Sequence, residues 1–269
     1  MDMDDVARYN RDRWDRLVGA NALFTRPYLD LDAASARQCL DPEDRLGDVS
    51  GKQVLCLAGG GGQESVAAAL LGADVTVLDL SGAQLQRDRE AAAHYGVVPR
   101  IEQGDMRDLS RFDSASFDLV LHPYALNFVL DARAVFQQVA RVVRPGGRYR
   151  VMCANPFTSG LTAEDWTGQA YPLSQPYLDG AATTYQDQPW VYHRAEETGD
   201  IQPPREYRHT PGTVVNGLVE AGFVIWRLTE HTHGQPDADP GSWEHFTTIA
   251  PPWFTFWTSY NPDAPGRKD

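Results

Sequence analysis

Between about Gly51 and Met152, apolar runs of strand length alternate with longer amphipathic stretches. Gln53 to Ala58 predicts a buried strand, Gln63 to Leu71 an Ala- and Leu-rich helix, and Asp74 to Leu78 a second strand. Ser81 to His94 predicts a helix with Ser81 as its N-cap and Leu85 among its few large apolar residues. A short strand near Arg100 to Gln103 follows, then a strand over Phe117 to Leu121. Ala132 to Val143 predicts a helix with Val135, Phe136, Val139 and Val142 on one face. The turn Pro145-Gly146-Gly147 stops that helix and leads into a strand over Arg148 to Cys153. Strands apolar on both faces and separated by helices imply an α/β fold, a doubly wound parallel sheet covered on both sides.

The alternation breaks at Ala154. Residues 154–211 are rich in proline and aromatics without clear period, and predict an insertion within the domain that acts as a lid. Gly212 to Ala221 then predicts a helix stopped by Gly222, and Phe223 to Glu230 a strand. Phe246 to Tyr260 has a β-rich, aromatic composition. Residues 1–50, with Trp14, Leu17 and Leu23 at helical spacing, predict a helical lead-in, so 51–153 and 212–269 form the main domain.

Composition narrows the function classes. Of 269 residues, 37 are Asp or Glu and 24 Lys or Arg, a formal charge of −13. Nucleic-acid affinity depends on Lys and Arg, so a general role on DNA or RNA is not expected, and anionic membranes are disfavoured for the same reason. No apolar run approaches the roughly 18–20 residues that span a bilayer, and the acidic start lacks signal-peptide features. The expected setting is cytoplasmic, as a monomer or homodimer. Cys39, Cys56 and Cys153 are far apart, and no metal site is expected from the spacing of Asp, His or Cys.

The most informative segment is Val54-Leu-Cys-Leu-Ala-Gly-Gly-Gly-Gly-Gln-Glu-Ser65. A strand running into four glycines and a helix turns sharply and exposes backbone that no Cβ shields. In an open parallel sheet such a turn sits where ligands bind, at the carboxyl ends of the strands near the reversal of strand order. Asp79 lies 20 residues after Gly59, at the end of the second strand, where a carboxylate can hold both hydroxyls of a ribose. Dinucleotide enzymes and methyl-donor enzymes share these features.

Further motifs separate the two. Gln103-Gly104-Asp105-Met106-Arg107 follows the third strand, Phe117-Asp118-Leu-Val-Leu-His122 forms the fourth, and Val139 to Gly147 precedes the fifth. This succession resembles the class I S-adenosylmethionine-dependent methyltransferases, in the small-molecule branch similar to the ubiquinone-biosynthesis type. The resemblance runs from Val54 to Cys153 and resumes at Gly212 to Phe223. It implies a mostly parallel seven-stranded sheet with an antiparallel last strand between Phe246 and Tyr260. It also implies S-adenosyl-L-methionine as methyl donor and a small-molecule acceptor. On the residues that match, Ala58, Gly59, Gly60 and Gly62 would face the donor's amino-acid part. Asp79 would take its ribose, with Leu80 and Gln84 bordering the adenosine. Gly104, Asp105 and Met106 would take the adenine, and His122 would lie beside the sulfonium. Two residues depart from the family pattern: Cys56 stands where an acid is usual and Ala58 where glycine is usual. Glu64 or a lead-in residue is the expected substitute for the missing acid.

For chemistry, His122, Tyr124 and Asn127 are the catalytic or orienting candidates beside the fourth strand, with His193, His209, His231 and His233 as further bases. Tyr9 and Trp14 of the lead-in, with Arg13 between them, would fold over the donor. Trp166, Tyr177, Trp190 and Tyr192, together with Tyr171 and Tyr185, would enclose an apolar or cationic acceptor. Two other readings remain open at this level. One is an NAD(P)-dependent oxidoreductase built on Gly60-x-Gly62 and Asp79, although its third glycine position holds Ser65. The other is a catalytically silent protein that only binds the donor.

Overall fold

A computed structural model describes residues 4–183 and 201–267. The lead-in contains helix α1 (Asp5–Gly19), a single 3-10 turn (Leu23–Thr25) and helix α2 (Ala33–Leu40). Asp4 caps α1 by accepting from the Ala7 amide, and Leu17 on its inner face is fully buried. Leu23, expected on the same helical face, lies beyond α1 in the 3-10 turn and is exposed.

The main domain then follows in the predicted order. β1 (Gln53–Leu57), α3 (Glu64–Leu70), β2 (Asp74–Asp79), α4 (Gly82–Tyr95) and β3 (Arg100–Gln103) form its first half. β4 (Phe117–His122), α5 (Ala132–Val142) and β5 (Val143–Ala154) begin the second half. A two-stranded ribbon, β6 (Ala182–Thr183) with β7 (Glu206–Tyr207), sits in the insertion. α6 (Pro211–Glu220), β8 (Phe223–Glu230), α7 (Trp243–Ile249) and β9 (Trp253–Tyr260) complete the chain.

Seven strands make one sheet in the order β3-β2-β1-β4-β5-β9-β8. All neighbours are parallel except β9, which runs antiparallel to both β5 and β8. Period-2 alternation splits β1 between two cores: Leu55 and Leu57 face α5 and α6, while Val54 and Cys56 face α2, α3 and α4. Strand order reverses between β1 and β4, so the crevice at their carboxyl ends is where a ligand is expected.

Two local expectations are corrected. Residues 243–249 are helical rather than extended, because Ser242 caps the His245 amide and Pro251-Pro252 delays the strand to Trp253. Pro145-Gly146-Gly147 is not a separate turn. The strand starts at Val143 directly after α5 and runs through these residues, with a register shift between Phe117 and Leu119 on β4.

Candidate functional site

The loop after β1 is built from backbone amides turned inward. The Gly60 amide donates to Asp79 Oδ2 at 3.0 Å, Gly61 to Asp88 Oδ2 at 3.0 Å, and Gly62 to Asp88 Oδ1 at 3.1 Å. Asp79 also accepts from the Ser81 amide at 2.8 Å, and Asp88 from the Ser65 hydroxyl at 2.5 Å. Burial raises both carboxyls above the usual range, Asp88 to about 7, while these donors oppose the rise. A Cβ on Gly60 would lie 2.8 Å from Gln84 Cβ and 3.0 Å from the Asp79 carboxyl, so only glycine fits there. Ala58 takes the left-handed conformation at φ 50°, a region that costs a residue with a Cβ roughly 1–2 kcal/mol. Asp88, which the sequence reading did not single out, is therefore as much a part of this loop as Asp79.

Next to the loop, a cleft of about 120 Å³ opens over the strand ends. Ala58, Leu80, Gly104, Asp105 and Met106 form its floor, Phe128 and Tyr207 one wall, and Asp4, Ala7 and Asn10 of α1 its roof. Asp105 is not free: Arg107 donates to it through its amide and Nε, each at 2.9 Å, and through Nη2 at 2.5 Å. Arg107 Nη1 reaches Asp4 Oδ2 at 2.5 Å, which latches α1 to the floor. At the other end of α1, Asp15 accepts from Ser81 Oγ at 2.5 Å and from the Ala83 amide at 3.2 Å.

Two buried polar atoms beside the loop have no partner, Gln84 Oε1 and His122 Nε2. His122 is fully buried, its Nδ1 lies 2.8 Å from the Tyr149 hydroxyl, and burial pushes its pKa down to about 3. It is a neutral imidazole near pH 7 and too weak a base for general-base work at that pH. Asn127 is a tie between elements: its Oδ1 accepts from the Ala154 amide at 2.8 Å and its Nδ2 donates to Tyr207 O at 2.9 Å. Tyr124 donates to Glu206 Oε2 at 2.7 Å, and Glu206 is 1% exposed. No sequence signal pointed to Glu206, because β7 reaches the site only through the tertiary fold. A Cβ on Gly59 would lie 3.4 Å from Pro123, so the turn after β4 adjoins the glycine loop.

The aromatic candidates separate into groups. Trp14 meets Phe24 and Phe128 edge-on, and Phe128 meets Tyr124 at 6.2 Å, so Trp14 packs behind the Phe128 wall without lining the cleft itself. Tyr9 donates to Pro203 O at 2.8 Å and carries the Arg205 guanidinium 3.9 Å over its ring, while Arg13 Nε donates to Gln202 O. Trp166 packs on His245 and Tyr171, and Tyr177 stacks on Phe157 and is 44% exposed. Neither Trp166 nor Tyr177 lines the cleft. Trp190, Tyr192, Tyr185 and His193 lie outside the described residues. His209 Nε2 is buried against the Leu126 and Val129 carbonyls, and His231 and His233 pair with Thr255 and Thr247 hydroxyls.

At the Cys56 departure, charge has moved rather than vanished. Glu64 on α3 pairs with Arg150 on β5, which also donates to Leu40 O at 2.7 Å, while Glu64 Oε2 is buried without a partner. Burial raises the Cys56 thiol, so it stays neutral beside Arg150. Among the described residues no group of three or more His, Cys, Asp and Glu is arranged to hold a metal, and no helix is long and apolar enough to cross a membrane.

Known proteins agree with this architecture. A family model for a methyltransferase domain matches residues 55–151. A structure of an S-adenosylmethionine-dependent methyltransferase from Mesorhizobium loti superposes with a TM-score of 0.62 at 25% identity, over 86% of this chain and 100% of that one. The uncharacterized methyltransferase YbaJ of Bacillus subtilis (strain 168) is 33% identical over 195 residues, 72% of this chain and 74% of that protein. The chain is a class I S-adenosylmethionine-dependent methyltransferase. The ubiquinone biosynthesis O-methyltransferase of Cronobacter sakazakii (strain ATCC BAA-894) is also similar, at 35% over 104 residues, which are 39% of this methyltransferase and 43% of that enzyme.

The glycine loop supplies a physical reason for the same choice. A dinucleotide site aims its loop amides at a pyrophosphate. In this methyltransferase the Gly60, Gly61 and Gly62 amides are taken by two carboxylates, whose charge would repel a pyrophosphate.

Proposed function

We propose that this methyltransferase moves a methyl group from S-adenosylmethionine to a small-molecule acceptor bound between the turn after β4 and the aromatic wall. The observation that carries the reading is the convergence of Asp79, the glycine loop and the Gly104–Met106 turn on one edge of the sheet, where the Gly60 amide donates to the Asp79 carboxylate and the Gly104 amide to the Asp79 carbonyl, beside a cleft floored by Ala58, Leu80 and Met106. The donor fits what the residues leave unsatisfied: Gln84 Oε1 and His122 Nε2 are buried polar atoms without partners, and the Gly60 backbone lies directly against the Asp79 carboxyl because no Cβ stands between them. Asp79 would hold the ribose with the lone pairs left beyond its two amide bonds, and Leu80 and Met106 would border the adenine. The cleft is smaller than the roughly 300–1,000 Å³ of ordinary ligand pockets, so α1 must lift to admit a donor.

When bound, the donor supplies a methyl already activated on a sulfonium, so the chain's main task is alignment, worth roughly 7–11 kcal/mol in well-oriented reactions. Tyr124 would orient the acceptor, with Phe128 and Trp253 as its aromatic neighbours. Where the acceptor atom carries a proton, that proton would pass to the Tyr124 oxygen as the Tyr124 proton moves to Glu206. His122 would remain neutral.

Calorimetric titration tests the donor site. S-adenosylhomocysteine should bind and NADH should not. Asp79→Ala should weaken the former by about 1.5–3 kcal/mol through loss of a charged hydrogen-bond acceptor. Unchanged affinity would remove Asp79 from the donor site, and binding of NADH alone would overturn the reading.

A further inference from the structure

Asp88 stands apart from every other buried acid in the described residues. It is 0% exposed, lies on the second turn of α4, and accepts three hydrogen bonds, from the Gly61 amide, the Gly62 amide and the Ser65 hydroxyl. These contacts join α4, the glycine loop and the start of α3 through one carboxylate. No ion pair reaches it among the described residues. Asp79 at the end of β2 faces it with like charge, and the Cys56 thiol of β1 is neutral. Glu64 of α3 and Arg150 of β5 neutralise each other, and Arg87, its neighbour on α4, is bridged to Glu90.

All three partners are used as donors, which only the ionised carboxylate satisfies in full. A proton on Oδ2 would point at the Gly61 N–H. A proton on Oδ1 would face the Gly62 N–H or force the Ser65 hydroxyl to turn away. In either case one loop amide is left facing the hydroxyl oxygen of a carboxylic acid, a far weaker acceptor than a carboxylate oxygen, and the turn it fixes loosens.

We propose that Asp88 is a positioning residue for the donor site: it clamps the Gly61–Gly62 turn, and the turn holds its donor-binding shape only while this carboxylate is ionised. This rests on the methyltransferase reading of the cleft. Burial places the titration of Asp88 at about 7, so donor affinity becomes sensitive to pH in the neutral range. The sign works against global stability. A carboxyl raised above its unfolded value stabilises the fold at acid pH, and that contribution is lost as pH rises through about 7. Ordering the loop and stabilising the fold therefore favour opposite protonation states.

The test is S-adenosylhomocysteine binding by calorimetry at pH 6, 7 and 8, with thermal unfolding at each pH. Affinity scales with the fraction of protein in the competent state. The wild-type protein should bind about tenfold more weakly at pH 6 than at pH 8. Asp88→Asn should bind more weakly than wild type at pH 8, lose that slope, and unfold at no lower temperature at pH 8. The ligand's own groups titrate identically in both proteins. Should Asp88→Asn fail to fold, Ser65→Ala removes one donor to the carboxylate and should move the midpoint of the wild-type slope to higher pH. An equal slope in Asp88→Asn, wild-type affinity in that variant at pH 8, or an unmoved midpoint in Ser65→Ala overturns the proposal. Wild-type protein that binds no S-adenosylhomocysteine at any pH overturns the donor-site reading itself, and this proposal with it.

Discussion

The two sides of the crevice are held together by different physics. On the donor side, β1, α3, β2 and α4 are close in sequence, and polar contacts dominate: successive loop amides end on Asp79 and Asp88. On the side proposed to take the acceptor, Tyr124, Glu206 and Trp253 come from distant parts of the chain and meet through a Tyr124–Glu206 hydrogen bond and a Tyr124–Trp253 edge-on ring contact. Each inward amide needs a partner at hydrogen-bond distance, so the donor side tolerates little change. Aromatic pairs accept several arrangements, offset or edge-on, with ring centroids anywhere from roughly 4.5 to 7 Å apart.

That contrast can be broken by experiment. Tyr124→Phe should lower turnover of an acceptor that must lose a proton by about 10²–10⁴-fold and leave S-adenosylhomocysteine affinity unchanged. An equal loss in donor affinity would mean the two sides are not separable. Gly60→Ala should do the reverse, displacing α4 or the loop at a cost of about 1–3 kcal/mol from overpacking, read as weakened S-adenosylhomocysteine binding in a folded protein. Ala58→Gly relieves a left-handed alanine but adds freedom to the unfolded chain, a net gain of up to about 1 kcal/mol by chemical denaturation. A loss would show that the Ala58 methyl packs usefully in the cleft. Asp4→Asn is the mildest. It removes the charge at the exposed end of the latch to Arg107, worth about 0–1 kcal/mol, keeps an N-cap on α1, and should speed donor association in stopped-flow with little change in melting temperature.

The glycine loop and the turns at the strand ends were largely legible in the sequence because their signals are local. Four glycines after an apolar strand, an acid at the end of the next strand and Gly104-Asp105 after the third each fix a turn within a few residues. Asp88 escaped notice because nothing in a helical segment marks which polar residue will turn inward toward a loop. His122 was legible as a residue at the strand end, but its neutrality follows from complete burial against Tyr149, which no spacing reveals. Trp166 and Tyr177 had the composition of a lid, yet their ring partners, His245 and Phe157, place them away from the cleft.

The sequence alone determined the alternation of strands and helices, the position of the glycine loop and the family, because periodicity, turn chemistry and ordered motifs act over short stretches of chain. Tertiary structure alone decided which carboxylates the loop amides meet, that Glu206 stands behind Tyr124, and that Arg150 pairs with Glu64 beside Cys56. Those pairings depend on desolvation and on distances between segments far apart in sequence, and burial sets both only once the sheet has closed around them.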